Sequence, residues 1–355
     1  MNSNWRRIFS EVWQNQKEWI LGIIGLTLST PFITDGPLWW IGGVWAVTLG
    51  YLGYIVIWEY RQVKALEAEK PVPFMVIVGR DEDSYFSMNR EVMQAMGGTH
   101  FEEQLYRDVW KVIYQNMELY EENRLPYISE RWKELVQQFN KKVVRLDRKL
   151  PNRTIFHLFL NCPAVLALGL GARSGVHHEV VLYHYQRAAG QSPYIRVIDL
   201  SFSTVSQLST QTDGVRLIKK QIQKPYRFIR VKGLNNKDLK DTEILVKVYL
   251  AGHDPTASVE QMAASHNWAL VHIDKSQDML PTAENSWLRP AQEVSTVLMQ
   301  LAAQAKRIHL CWSAPVPLAF AVGMALGTHS PITLYQWNPS KSSYHPVLNL
   351  EKLRE

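Results

Sequence analysis

The segment IFHLFLNCPAVLALGLGARSGVHHEVVLY (155–183) returns later in the chain in altered form, as RIHLCWSAPVPLAFAVGMALGTHSPITLY (307–335). The two segments align without a gap at an offset of 152 residues, and ten of the 29 positions are identical, among them Gly171 with Gly323. Internal repetition of this length indicates one structural unit that the chain builds twice.

Strand and helix patterns alternate around both copies of the repeat, which predicts an α/β fold with largely parallel sheets covered on both faces. We expect two Rossmann-like halves, at about 71–205 and 241–355, joined by a connector at 206–240. In the second half the predicted elements are strands at 243–252, 268–273, 308–312 and 332–335, an edge strand at 344–350, and helices near 256–266, near 288–305 and from Pro315. In the first half they are strands at 73–81, 155–160, 180–185 and 194–200, the repeated helix, and two helices between about 99 and 140.

The amino-terminal part differs in kind, because segments 19–34 and 38–58 contain no charged side chain and are separated by the turn at 35–37. Two such segments predict a transmembrane helical hairpin within residues 1–70, since a span needs about 20 apolar residues. Basic residues lie before the first span and after the second, which predicts that both ends are cytoplasmic. A cleaved signal peptide is the alternative, but no small-residue cleavage site is present.

Small residues recur at helical spacing within both predicted spans, and in lipid such stripes let helices approach closely. They serve either the packing of the hairpin itself or association between hairpins. The stripe residues are Gly22 and Gly25 in the first span and Gly43, Ala46, Gly50 and Gly53 in the second.

Composition narrows the choice of partner. The two cysteines provide no disulfide framework, and no cysteine or histidine cluster has zinc-ligand spacing, so we expect neither a metal nor another cofactor. Residues 1–70 are balanced in charge, so the net charge of +6 belongs to residues 71–355 and favours an anionic partner. Duplex DNA is not expected, because Lys and Arg appear dispersed along the chain and no helix-turn-helix or zinc-finger pattern is present.

The carboxyl ends of the predicted strands are the candidate binding positions, because open α/β sheets bind phosphates there. The repeat places Asn161 and Ser313 as helix N-cap residues with a proline two positions later. Arg80 could pair with a phosphate, and Trp312 or Trp337 could stack on a base. The candidates are Gly79, Arg80, Asp81, Asn161, Gly252, His253, Asp254, Trp312, Ser313 and Trp337.

Catalytic residues are harder to find. Cys162 could be a nucleophile, but its partner in the repeat is Ala314, and a buried structural thiol is the favoured interpretation. His157 and His309 lie in apolar strands, which favours core histidines with satisfied hydrogen bonds. No GxGxxG pattern follows the first predicted strand, and no P-loop pattern is present anywhere in the sequence, so dinucleotide binding and ATP hydrolysis lose their usual support.

The segments HLFLNCPAVLALGLGARSG with VVLYHYQ, and IHLCWSAPVPLAFAVGMALG with ITLYQW and YHPVLNL, resemble the SAVED domain of bacterial cyclic-oligonucleotide anti-phage signalling (CBASS), over about 74–355. The resemblance implies two fused CARF-like Rossmann units that bind a cyclic oligonucleotide, such as a cyclic di- or trinucleotide, and then assemble.

With a two-helix transmembrane segment, the resemblance further implies a non-enzymatic effector at the bacterial inner membrane. Ligand-driven oligomerisation would cluster the hairpins, disrupt the membrane and cause abortive infection. A membrane-anchored Rossmann-like enzyme that processes nucleotides and a ligand-independent membrane scaffold are the alternatives.

Overall fold

A computed structural model of the chain describes residues 46, 49–51, 53, 54, 72–96, 117–149, 155–186, 193–201, 214–233, 239, 241–276, 280, 281 and 283–354. The chain divides into two compact units, one of Met1–Lys70 with Leu150–Asn152 and one of Pro71–Lys149 with Arg153–Glu355. The second unit contains both copies of the repeat and all of the candidate binding residues.

The first half of the second unit contains β1 (Val72–Val78), α1 (Glu82–Ala95), β2 (Glu118–Glu121), α2 (Ser129–Lys149), β3 (Ile155–Asn161), α3 (Ala164–Ser174), β4 (Glu179–Tyr185) and β5 (Tyr194–Asp199). A short 3-10 helix, Gly214–Lys219, and β6 (Ile229–Lys232) follow. The second half contains β7 (Glu243–Tyr249), α4 (Thr256–His266), β8 (Ala269–Lys275), α5 (Leu288–Ala302), β9 (Arg307–Ser313), α6 (Val316–Leu326), β10 (Ile332–Asn338) and β11 (Ser343–Asn349). Two further 3-10 turns lie at Gly327–His329 and Glu351–Leu353.

The two halves share one topology. The first sheet has the order β2-β1-β3-β4-β5, and the second has β11-β10-β9-β7-β8-β6, in which β6 is an addition at the far edge. Neighbouring strands are parallel, except that β5, β11 and β6 run antiparallel to their partners. The molecule is therefore a mixed α/β protein with two parallel-rich sheets, each of Rossmann-like order.

Each sheet is covered on both faces, which explains why its central strands are apolar on both sides. One face of the first sheet packs against α1 through Met75, Ile77 and Phe159. The equivalent face of the second sheet packs against α4 in the same way. Helices α2, α3, α5 and α6 form the layer that the two halves share, and α3 packs most extensively against α6.

The contact between α3 and α6 depends on two glycines. A Cβ atom at Gly171 would lie 2.0 Å from the carbonyl oxygen of Phe320, and one at Gly323 would lie 2.1 Å from that of Leu168. The two contacts are related by the repeat, so each helix places a glycine against the backbone of the other. Gly171 and Gly323 therefore serve the packing of the two halves.

Most predicted element positions are confirmed, including the helix at 256–266. Of the two helices predicted between about 99 and 140, the first lies largely outside the described residues, and the second is α2, which continues beyond 140 to Lys149. Helix α1 and the short strands β2 and β6 were not predicted. The strand predicted at 73–81 is too long, because the observed strand β1 ends at Val78 and Asp81 is already the N-cap of α1.

The predicted hairpin lies outside the described residues except for positions 46, 49–51, 53 and 54, which are helical. Ala46, Gly50 and Gly53 are thus described, whereas Gly22, Gly25 and Gly43 are not. Within the described residues, no helix combines the length and the apolar composition that crossing a bilayer requires.

Candidate functional site

An open cavity of about 350 Å³ lies at the carboxyl ends of β1 and β3, and we call it the strand-end cavity. The chain leaves β1 for β2 on one side and later returns to β3 on the other, so this is the switch point of the first sheet, where ligands bind in open α/β folds. The lining residues are Val78, Gly79, Arg80, Arg124, Leu125, Tyr127, Trp132, Asn161, Cys162, Pro163 and Gln336.

Gly79 shapes the turn at the mouth of this cavity. Its φ of +71° is a conformation that other residues rarely adopt, and its N–H donates to the carbonyl of Glu121 at 2.8 Å. A Cβ atom at Gly79 would lie 3.5 Å from Cγ of Arg124. That distance is an ordinary van der Waals contact, so the positive φ, and not a lack of space beside Arg124, favours glycine at this turn.

Two arginines supply positive charge to the cavity. Arg80 and Arg124 both line it and are exposed, and neither has a carboxylate within salt-bridge distance in the part of the chain that the structure describes. The nearby Glu121 is instead paired with Arg131. The cavity thus offers two guanidinium groups to an anionic ligand, for which they are suited as fork-shaped donors to phosphate.

One wall of the cavity joins the two halves. Gln336 on β10 is its contribution from the second half. The hydroxyl of Tyr127 donates to the carbonyl of Trp337 at 3.2 Å, and its ring lies 5.4 Å from that of His345. The loop that carries Arg124 and Tyr127 is therefore attached to β10 and β11.

Asn161 and Cys162 form the wall below the start of α3. The prediction that Asn161 and Ser313 are N-cap residues is wrong, because Pro163 and Pro315 hold the cap positions without any side-chain hydrogen bond. Asn161 is the last residue of β3 and lines the cavity. Burial raises the pKa of the Cys162 thiol to about 12, which keeps it protonated and agrees with a structural thiol.

At the equivalent strand end of the second half, Ser313 is hydrogen-bonded to the loop that follows β7. Its hydroxyl is 3.1 Å from the carbonyl oxygen of Ala251 and 2.6 Å from that of His253. Gly252 lies beside it with a φ of +84°. Ser313, Gly252 and His253 thus lie together, and the hydroxyl of Ser313 connects the end of β9 to the loop after β7.

The two aspartates of these loops accept backbone N–H groups near the starts of the following helices; Asp81 is the N-cap of α1, whereas Pro255 holds the cap position of α4. Asp81 accepts the N–H of Ser84 at 2.9 Å, which lowers the pKa of its carboxyl group. Asp254 accepts the N–H of Thr256 at 3.0 Å and lies 3.6 Å from the buried Lys247. Neither aspartate lines the strand-end cavity.

The two tryptophans differ in accessibility. Trp312 is buried and its indole N–H donates to the carbonyl of Ala314, so its ring has little surface left for a base. Trp337 is half-buried and packs edge-on against Tyr344. Neither ring lines the strand-end cavity, although the backbone of Trp337 braces its wall.

The core interpretation of the repeated histidines is confirmed. Nδ1 of His157 lies 2.9 Å from the hydroxyl of Tyr183, and Nδ1 of His309 lies 3.0 Å from that of Tyr335. Burial lowers the pKa of both histidines, that of His157 to about 4, so the ring of His157 is neutral at pH 7.

Of the candidates, the structure therefore places Gly79, Arg80 and Asn161 together in the cavity. Sequence reasoning missed Arg124, Tyr127, Trp132 and Gln336, all of which line it. The first three follow β2, a strand of four residues whose pattern is too short to recognise, and Gln336 is brought in from the other half.

Comparison with protein families gives a match over residues 129–200 and 207–350 to SAVED, the "SMODS-associated and fused to various effectors sensor domain". The matched segments cover more than half of the chain. The chain belongs to the SAVED family. The SAVED match includes Trp132, Asn161 and Gln336, whereas Gly79, Arg80 and Arg124 precede it. No curated protein matches the chain.

Solved SAVED structures share low sequence identity with the chain. An Acinetobacter baumannii Cap4 SAVED/CARF-domain containing receptor with 2'3'3'-cAAA is 12% identical and covers 85% of this chain and 56% of its own, with a TM-score of 0.47. The Acinetobacter baumannii receptor with 3'3'3'-cAAA is 15% identical, and the match covers 62% of this chain and 44% of the receptor, with a TM-score of 0.44. A Moraxella osloensis Cap4 SAVED/CARF-domain containing receptor is 16% identical, and the match covers 63% of this chain and 43% of the receptor, with a TM-score of 0.42. The chain spans about half the length of these structures.

Proposed function

We propose that the chain is a sensor that binds a cyclic oligonucleotide, of the cyclic di- or trinucleotide class, in the strand-end cavity. Membership of a sensor family supports this proposal, as do the solved SAVED receptors with cyclic trinucleotides. The observation that carries it is the cavity itself, which lies at a switch point and contains two arginines without carboxylate partners among the described residues. In the proposal Arg80 and Arg124 pair with phosphates, and Asn161 and Gln336 contact the remainder of the ligand.

The same proposal includes what happens after ligand binding, which is an effect on the membrane. Ligand-bound chains would associate and gather the predicted hairpins in the bacterial inner membrane, with both termini cytoplasmic, and the damaged membrane would end a phage infection as in CBASS. The uncharged segments 19–34 and 38–58 and their small-residue stripes motivate this step. No catalytic step is assigned to the chain, so the ligand would be recovered intact.

Binding is tested with the full chain in detergent, by following its thermal midpoint against a panel of cyclic di- and trinucleotides. A ligand that binds only the native state raises the midpoint. We expect Arg124→Gln to weaken binding at least about tenfold, since a hydrogen bond between charged groups contributes about 1.5–3 kcal/mol.

Arg148→Gln is the matched control, because Arg148 is an exposed arginine on α2 that does not line the cavity. Equal losses in both variants, or no stabilisation by any compound of the panel, would contradict the proposal. Chromatography of the ligand after incubation tests turnover, and cleavage would favour the enzyme alternative.

A further inference from the structure

The connector between the halves carries a concentration of basic side chains. Residues 214–233, GVRLIKKQIQKPYRFIRVKG, contain seven Lys and Arg and no Asp or Glu, whereas the whole chain has a net charge of +6. The rest of the chain is therefore not basic. The expectation that basic residues are dispersed is wrong for this segment.

All seven basic residues are exposed, and we call them together the basic ridge. They are Arg216, Lys219, Lys220, Lys224, Arg227, Arg230 and Lys232. Apolar residues between them point inward, since Ile218, Ile222 and Phe228 are buried. Among the described residues, none of the ridge residues from Lys219 onward has a carboxylate within salt-bridge distance of its side chain.

The backbone beneath the ridge is fixed to α5 by three polar side chains. Glu293, which is fully buried, accepts the N–H groups of Arg227 and Phe228 at 3.0 and 2.8 Å. Thr296 accepts the N–H of Ile222 at 3.0 Å, and Gln292 donates to the carbonyl of Leu217 at 2.7 Å. The backbone that carries the ridge is thus held against α5, and its basic side chains are exposed to solvent.

We propose that the basic ridge binds the anionic headgroups of a lipid bilayer. Four to eight clustered Lys and Arg side chains close to a membrane are the pattern that attracts acidic lipids. The predicted hairpin of the same chain would tether the domain to a bilayer. Nucleic acid is less favoured because binding to single strands uses exposed aromatic rings, and in the ridge Phe228 is buried and Tyr226 only half-exposed.

This contact goes beyond ligand sensing and does not depend on it. It would hold the SAVED domain against the membrane surface in the absence of cyclic nucleotide. The attraction would be strongest at low ionic strength, because salt screens charges beyond about 10 Å at 0.1 M.

The test is lysine acylation of the full chain in nanodiscs, read out by mass spectrometry without any nucleotide. With phosphatidylcholine and phosphatidylglycerol together we expect Lys219, Lys220, Lys224 and Lys232 to react at least about threefold more slowly than with phosphatidylcholine alone, and high salt to remove the difference. Lys341 and Lys352, exposed elsewhere, are the internal controls.

A variant with Lys219→Gln, Lys220→Gln and Lys224→Gln should leave Lys232 equally reactive on both lipids, whereas Lys341→Gln with Lys352→Gln should change nothing at the ridge. Equal acylation on both lipids in the unaltered chain would overturn the proposal. Protection by a short duplex DNA or RNA, but not by acidic lipid, would also overturn it and assign the ridge to nucleic acid. Failure of nucleotide binding would leave this result unaffected.

Discussion

At the scale of single residues, the close contact between the halves depends on the absence of two side chains. Gly171 and Gly323 each lie against a backbone carbonyl of the opposite helix, at a distance that no Cβ atom tolerates. Elsewhere in a helix a glycine costs about 1 kcal/mol relative to alanine. The repeat retains glycine at both positions because the helix backbones approach too closely for any larger residue.

Gly171→Ala should therefore destabilise the protein by about 3 kcal/mol, since overpacking that forces backbone shifts typically costs about 1–3 kcal/mol or more. Gly169→Ala is the control on the same helix, because its closest contact would be the flexible end of Leu348 at 2.8 Å. We expect that variant to stay within about 1 kcal/mol of the parent, as the gain in helix propensity offsets the crowding. Denaturant unfolding measures the free energy of unfolding of the two variants. Equal values for both would show that the contact between the helices is not tight.

Single residues also show where sequence reasoning ends. Gly79, Arg80 and Asn161 follow or end predicted strands, so a rule about strand ends found them. Arg124 has no such signal, because its place beside Gly79 depends on how β2 pairs with β1. Asp81 and Asp254 lie outside the strand-end cavity, and each accepts a backbone N–H near the start of the helix that follows it.

At the scale of elements, α5 combines two tasks. It belongs to the helical layer between the sheets, and its residues Gln292, Glu293 and Thr296 hold the connector in place. Glu293 is the central member, because one buried carboxylate accepts two backbone N–H groups and the Nε–H of Arg289 at 2.9 Å. Such charge-assisted bonds are stronger than neutral ones.

Glu293→Gln should destabilise the protein by about 2–4 kcal/mol, because the amide cannot accept from all these donors and leaves a buried N–H unpaired. Hydrogen exchange at Arg227 and Phe228 should accelerate, while β9 stays protected. Glu260→Gln on the exposed face of α4 is the matched control and should change stability by no more than about 0.5 kcal/mol. Unchanged exchange in the Glu293 variant would refute the role given to this carboxylate.

Elements with a strong apolar pattern were predicted from sequence, and those with a weak one were not. Strands such as β7 and β9 are buried over most of their length, so their sequences are largely apolar. Helix α1 was missed because it buries little beyond Met88 and Val92 and is otherwise polar. Strands β2 and β6 have four residues each, which is too few for a periodic pattern.

At the scale of the whole molecule, the repeat predicted two halves but not their unequal strand ends. Asn161 lines an open cavity in the first half, whereas Ser313 is hydrogen-bonded to the loop after β7 in the second. The repeat alignment pairs these residues as equals, and only the three-dimensional arrangement distinguishes them. The contribution of Gln336 to the cavity wall likewise depends on how the two halves pack, and no local sequence pattern predicts that packing.

The proposed coupling between ligand and assembly makes a prediction for the whole molecule. If ligand drives association, it must bind associated chains more tightly than separate ones, and by linkage association must tighten ligand binding by the same factor. We expect the apparent dissociation constant of the ligand to fall as the concentration of full chain in detergent rises, by at least about tenfold across the range in which sedimentation shows assembly. Gly50→Leu, which alters the small-residue stripe of the second predicted span, should reduce this dependence while the affinity of dilute protein stays unchanged. Assembly that proceeds equally without ligand would favour a constitutive scaffold, and an affinity that ignores protein concentration would separate sensing from assembly.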